Sequence, residues 1–306
     1  IDQFNQYNLE QKKQGICPLC SHDRKPENRK KKCASYDWER GLGTCHNCDS
    51  TFQLHTYQRK GATDKEYIRP VDPPKEEFNI PRTKVAEWFE TRGISTRTLI
   101  DLQISEGPEY MPQTGKTENT IKFNYYVGDQ LINVKYRDGR KNFKLYKGAE
   151  KVFYNINSIV GYDSCVITEG EMDVLALHEA GIKNCVSVPN GATITHNNLD
   201  YLDNCIDYFE DKKQIILALD TDAPGIALRT EFVRRLGAEA CFLVDFEDCK
   251  DANEYLIKYG KDKLKQTIDK AKAYPLENVT TFKDIEGDVK DFVKNGFKPG
   301  YQVGLS

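Results

Sequence analysis

Apolar and polar positions change rhythm three times along the chain. From Thr83, TKVAEWFETRG spaces its apolar residues three to four apart, which predicts an amphipathic helix stopped at Gly93. ISTRTLIDL predicts a second helix with Ser95 as its N-cap. From Thr120 the period falls to two. TIKFNYYVG, QLINVKYR and NFKLY read as strands parted by Gly and Asp turns. From Cys165 short apolar runs alternate with helical stretches. CVITEG, CVSVPNG, IILALDTD and AEACFLVDF read as strands, and EMDVLALHEAG, LDYLDNCIDYF and IALRTEFVRRLG as the helices between them. Residues 251–273 read as helical. Such alternation predicts a parallel sheet covered on both faces.

Residues 1–60 lack this periodicity and hold five of the ten cysteines. A segment with so little core needs a staple. CPLC at 17–20 and CHNC at 45–48 supply one: each knuckle turns two thiolates toward one ion, and two knuckles close a tetrahedral shell. The expected zinc ligands are Cys17, Cys20, Cys45 and Cys48, with Cys33, His22 and His46 as substitutes. The basic run from Arg24 to Lys32, with Tyr36, Trp38 and Arg40 nearby, suits single-stranded nucleic acid. RPVDPPKEEFNIP then carries four prolines and predicts a stiff linker from Arg69 to Pro81.

Composition excludes some classes. With 39% hydrophobic and 11% aromatic residues the chain can build cores, so global disorder is excluded. No run approaches the ~20 apolar residues of a membrane span, so no membrane partner is expected. No signal peptide is visible, which favours a reducing compartment and metal-bound cysteines over disulfides.

The net charge of −3 conceals a division. Residues 115–151 carry nine Lys/Arg against four Asp/Glu, whereas 163–255 carry seven against nineteen. Basic segments neutralise phosphates, while dense carboxylates repel them unless cations stand between. The carboxylates also fall at strand ends, where parallel sheets bind ligands. Glu169 closes the first strand, Asp220 and Asp222 close the third, and Asp251 follows the fourth. Asp173 lies one turn into the helix after Glu169. Capping explains any one of them, but five at one edge point to magnesium or manganese and to in-line phosphoryl transfer. DTDAPG with Glu231 imitates an EF-hand, yet Pro224 takes a ligand position and a strand precedes the loop.

These motifs resemble a known family. VITEGEMD and ALDTDAPG, with CVSVPNGA between them and KDANE after, are similar to the TOPRIM catalytic core. WFETRGIS, NVKYRDGRKNFKLY and VFYNINSI resemble the basic subdomain of bacterial and phage primases. Together with the upstream ribbon, the ordered set resembles the primase half of phage primase–helicases, which is related to Twinkle-like proteins and to bacterial replicative primases.

The resemblance implies a multidomain α/β chain. Its expected parts are a zinc ribbon over 1–68, a linker over 69–82 and a mixed α+β basic subdomain over 83–160. A TOPRIM domain with a parallel-rich sheet flanked by helices spans 161–275, and 276–306 leads toward a helicase domain. The implied activity is DNA-templated synthesis of short RNA primers by metal-dependent nucleotidyl transfer. Glu169 would be the essential carboxylate, either as general base or holding magnesium with Asp220 and Asp222, and Asp173 and Asp251 would support them. Lys135, Arg137 and Lys144, with Lys250 more weakly, would contact triphosphates and template. Implied partners are single-stranded DNA, ribonucleoside triphosphates, a helicase and a DNA polymerase that takes over the primer. The implied setting is the cytoplasm of a bacterial or phage-infected cell, with mitochondria as the alternative. Competing readings are a non-catalytic, recombination-mediator-like DNA-binding module and a TOPRIM nuclease or topoisomerase.

Overall fold

A computed structural model describes residues 13–38, 42–48, 51–54, 66–71, 84–191, 199–275, 290 and 293–294. Most of the expected linker and the segment beyond 275 lie outside these residues. Three sheets organise the strands among the described residues. The first is antiparallel, in the order β1 (Gln14–Gly15), β2 (Ala34–Asp37), β3 (Leu42–Cys45) and β4 (Thr51–Gln53). Its core is as small as the sequence implies: Cys17, Ala34, Tyr36, Cys45, Phe52 and Leu54.

Two short helices, α1 (Lys84–Glu90) and α2 (Thr96–Asp101), precede the second sheet. Ser95 caps α2 by accepting from Thr98 N, as expected. The second sheet is antiparallel, in the order β5 (Ser105–Met111), β6 (Lys116–Val127), β7 (Gln130–Arg137) and β8 (Phe143–Leu145). β5 was not expected, because SEGPEYM holds Gly, Pro and two glutamates. It is an edge strand, where a proline leaves no ladder bond unmade. Along β6, Phe123 and Tyr125 turn to one side and pack edge-on against Tyr154 at 6.0 and 5.3 Å.

The third sheet has the order β10 (Cys185–Ser187), β9 (Ser164–Thr168), β11 (Gln214–Ala218), β12 (Cys241–Leu243) and β13 (Lys272–Ala273). Its first four strands are parallel, as the alternation predicts; β13 pairs antiparallel with β12. The connecting helices are α3 (Glu171–Glu179), α4 (Asp200–Cys205) and α5 (Ala223–Leu236). The single helical stretch read over 251–273 is instead α6 (Ala252–Tyr259), α7 (Lys261–Asp269) and β13. Gly260, at φ +83°, breaks the helix in a conformation that favours glycine. No helix among the described residues is long and apolar enough to cross a membrane.

The second and third sheets share one apolar core, in which Phe123, Tyr125 and Ile132 join Val166, Ile167 and Leu217. Helix α3 is central to it, with Val174, Leu175, Ala176 and Leu177 all fully buried. The strand order places a topological switch between β9 and β11: the chain leaves β9 toward β10 on one side and returns to β11 on the other. In such sheets the crevice for ligands opens at that switch, beyond the carboxyl ends of the strands.

Candidate functional site

The register aligns Thr168 of β9 with Ala218 of β11, so Glu169 and Asp220 emerge side by side at the switch. Glu169 Oε1 accepts from Asp220 N at 3.0 Å. Asp222 caps α5, its Oδ1 accepting from Gly225 N at 3.0 Å. Asp251 caps α6, accepting from Glu254 N at 2.8 Å. Asp173 is buried and accepts from Asn253 N at 3.1 Å. Burial, then the charges of Asp251, Asp220 and Glu169, hold its carboxyl well above the usual range. Burial also raises Asp220, against the pull of Lys250, and Asp251 and Asp222 add to the rise. The five carboxylates thus feel one another across one rim.

They do not close into a ready-made cage. Among the described residues, the group of three or more metal-ligating side chains with ligand atoms within 4.8 Å of one another is the four-cysteine set. Asp222 and Asp251 spend an oxygen on a helix cap, and Glu169 spends one on a neighbouring N–H. Asp222 and Asp251 each cap with Oδ1 alone. That set of hard, crowded donors suits magnesium, which keeps several waters and takes only one or two carboxylates. Lys250 already supplies one positive charge, its Nζ 2.9 Å from Asp220 Oδ2.

Gly225 is what lets α5 approach so closely. A Cβ there would lie 2.3 Å from Asp220 O and 2.6 Å from Glu169 Oε1. The first obstacle is backbone and cannot swing aside.

Facing the rim is a cleft of about 800 Å³ lined by Lys135, Arg137, Phe143, Glu169 and Glu171, among others. Lys135 and Arg137, two apart on β7, share one face, as alternation requires. The Arg137 guanidinium stacks 4.4 Å from the Trp88 ring centre, and Arg92 stands 5.2 Å from the same ring. Burial and Arg92 lower the Arg137 pKa. Lys135 and Arg137 both approach the Phe143 ring, at 5.3 and 5.9 Å. Trp88, Arg92 and Phe143 were not singled out in the sequence, although WFETRGIS and NVKYRDGRKNFKLY, which contain them, carry the resemblance.

Two placements differ from the simplest expectation. Lys135 is not a free cation: its Nζ contacts both Glu171 oxygens, at 2.8 and 2.9 Å, in a pair 11% and 4% exposed. Tyr125 donates its hydroxyl to the same carboxylate. Glu171 was also missed, although EGE puts a second carboxylate beside Glu169. Lys144 pairs across the sheet with Tyr136, hence on the face opposite Lys135 and Arg137. Its ammonium contacts Glu109 at 2.6 Å and lies over the Tyr136 ring. Lys144 borders the cleft, but its charge is directed away from the other two.

In the first sheet the four knuckle cysteines converge. Cys17 and Cys48 Sγ are 3.9 Å apart, and Cys20 and Cys45 Sγ 3.7 Å. A tetrahedron with Zn–S bonds of ~2.3 Å has edges of about 3.8 Å, so the spacing fits zinc. Cys33, His22 and His46 stand outside the set. Cys33 Sγ accepts from Cys17 N, His46 contacts Ser35, and His22 pairs with Asp23. Arg24 donates to Cys20 Sγ at 3.0 Å.

Comparison with known proteins places the fold among its relatives. Residues 166–256 match the Toprim-like family. A primase homolog protein of Arabidopsis thaliana is 36% identical over 212 residues, covering 64% of this chain and 61% of that protein. The chloroplastic/mitochondrial Twinkle homolog protein of the same plant is 32% identical over 240 residues, covering 73% of this chain and 33% of that protein. The chain thus spans about three fifths of the one relative's length and a third of the other's. The RNA polymerase domain of Mycobacterium tuberculosis primase DnaG was crystallised with a double-stranded DNA oligomer carrying a 6-nucleotide overhang. It shares the fold with a TM-score of 0.50 and 14% identity, over 63% of this chain and 74% of that one. The chain therefore carries a Toprim-like domain and is similar, well beyond that domain, to proteins described as primase and Twinkle homologues.

Proposed function

We propose that the chain synthesises short RNA primers on single-stranded DNA by metal-dependent nucleotidyl transfer. The observation that carries this reading is one cleft lined both by Glu169, which accepts from Asp220 N at the β9–β11 switch, and by Lys135 and Arg137 of β7. The plant relatives' names, primase homolog and Twinkle homolog, support it.

Divalent cations held by Glu169, Asp220 and Asp222 would supply charge stabilisation at the phosphoryl oxygens. The chain's own residues supply positioning. Arg137, stacked between Trp88 and Phe143, presents its guanidinium at the cleft as a hydrogen-bond donor to phosphate. Phe143, 39% exposed, offers a face for a base. Lys135 is shared between Glu171 and an incoming phosphate. Lys144, turned toward Glu109, contributes to the outer field of the sheet. The N-termini of α3 and α5 open on the same rim and favour negative charge there. Asp173, whose carboxyl is pushed well up by burial, supports the rim through Asn253.

Zinc held by Cys17, Cys20, Cys45 and Cys48 would fold the ribbon, whose basic loop would hold template. A helicase, and a DNA polymerase accepting the primer, complete the proposed set of partners. A bacterial cytoplasm and a DNA-containing organelle both provide this substrate set.

The test is incorporation of labelled ribonucleotides on varied single-stranded templates with magnesium, resolved on a gel. The reading predicts template-dependent oligoribonucleotides from the wild type and none from Glu169→Gln. Absence of product from the intact chain, with Glu169→Gln behaving identically, would contradict it. Plasmid relaxation or cleavage instead would favour a topoisomerase or nuclease.

A further inference from the structure

Lys250 follows β12, and its backbone and side chain are held very differently. Its N–H donates to Glu254 Oε2 at 2.8 Å, while Glu254 N donates to Asp251 Oδ1 at 2.8 Å. These two bonds at the start of α6 hold the backbone of Lys250 in place. The side chain is 62% exposed, yet its ammonium reaches Asp220, whose own side chain is 14% exposed. A long flexible stem thus pivots from a fixed point into the edge where five carboxylates crowd. The contact at 2.9 Å lies against Asp220 Oδ2, where an ammonium and a divalent ion repel each other and compete for the same charge.

We propose that Lys250 is an exchangeable counter-cation of Asp220, balancing the rim while no divalent ion is held and leaving when one binds. This rests on the reading of the rim as a divalent-cation site. Lysine suits the role because its ammonium is a compact point charge that demands no fixed ligand geometry. The exchange keeps the carboxylates from repelling one another before substrate arrives. It also releases an ammonium beside the cleft at the moment a polyphosphate would come in with its metal. Lys250 therefore weakens metal binding in the free chain.

The test is saturable Mn²⁺ binding to the zinc-loaded full chain, read from the electron paramagnetic resonance of free Mn²⁺. Removing a partly exposed ion pair predicts that Lys250→Met binds Mn²⁺ about three- to tenfold more tightly than wild type. Lys250→Arg, which keeps the charge, should match wild type, and Asp220→Asn should lose the site. Lys250 is an exposed side chain, and an unchanged thermal midpoint for Lys250→Met verifies its folding. Equal or weaker binding by folded Lys250→Met overturns the proposal while leaving the metal-site reading intact. No saturable site in the wild type overturns both.

Discussion

Asp222 performs two tasks that one substitution separates. It caps α5 through Gly225 N, and it faces the rim with a charge. Asparagine caps as well as aspartate, so Asp222→Asn should change unfolding free energy by less than about 0.5 kcal/mol in denaturant titration. If the charge holds a cation worth several kcal/mol at the phosphoryl oxygens, primer synthesis should fall about 10²-fold in the same variant. Normal synthesis would reduce Asp222 to a cap. Gly225→Ala should abolish activity through displacement of α5, since its Cβ meets the Asp220 carbonyl. Glu169, Asp220 and Asp222 were legible because each ends an apolar run, and strand ends are where a parallel sheet works. Glu171 was not, because its partner Lys135 lies 36 residues away and only the fold joins them. The direction of Lys144 was also hidden: it depends on the register of β8 against β7, which no local pattern states.

Between elements, two ion pairs join what the sequence presents separately. Lys135–Glu171 links β7 to the first turn of α3, inside the shared core. Breaking a buried pair strands a charge, so Lys135→Met or Glu171→Gln should each cost about 3–5 kcal/mol in denaturant titration. Replacing both with apolar residues should restore most of the stability and none of the activity. Glu179, at the end of α3, accepts from Ser95 N at 2.6 Å and from Lys261 at 2.6 Å, tying α2 and α7 to α3. Burial alone would raise its pKa, but Lys261 and Ser95 outweigh it and bring it down to about 2. The folded value lies below the unfolded one, so the stabilisation is complete above the unfolded pKa of ~4.3 and is lost as pH falls toward 2. Glu179→Gln should lose about 1–3 kcal/mol at neutral pH and flatten the stability profile in that acid range. An unchanged profile would contradict this role. The main parallel strands and their helices followed from periodicity. β5, the break at Gly260 and β13 did not, because an edge strand with Pro108 and a two-residue strand carry too few apolar residues to declare a period.

Over the whole molecule the cysteines divide by chemistry. Cys165, Cys185, Cys205 and Cys241 are buried, and burial pushes their thiols up to about 12, so they stay protonated and unreactive. The four knuckle thiols are set for metal. A strong zinc chelator should therefore release reactive thiols from the ribbon alone, counted with a chromogenic disulfide, while the core cysteines react only in denaturant. Release of no thiol would deny the zinc site. The ribbon was legible from spacing alone, because metal-ligand geometry is local. The cleft was less so, since its two walls come from sheets that meet only in a common core. The most direct measurement is a crystal of the chain grown with Mn²⁺ and a ribonucleoside triphosphate, with the metal located by anomalous scattering. The account predicts manganese between Glu169 and Asp220 with the triphosphate against Lys135 and Arg137. Triphosphate bound elsewhere, with no metal at the β9–β11 switch, would contradict it.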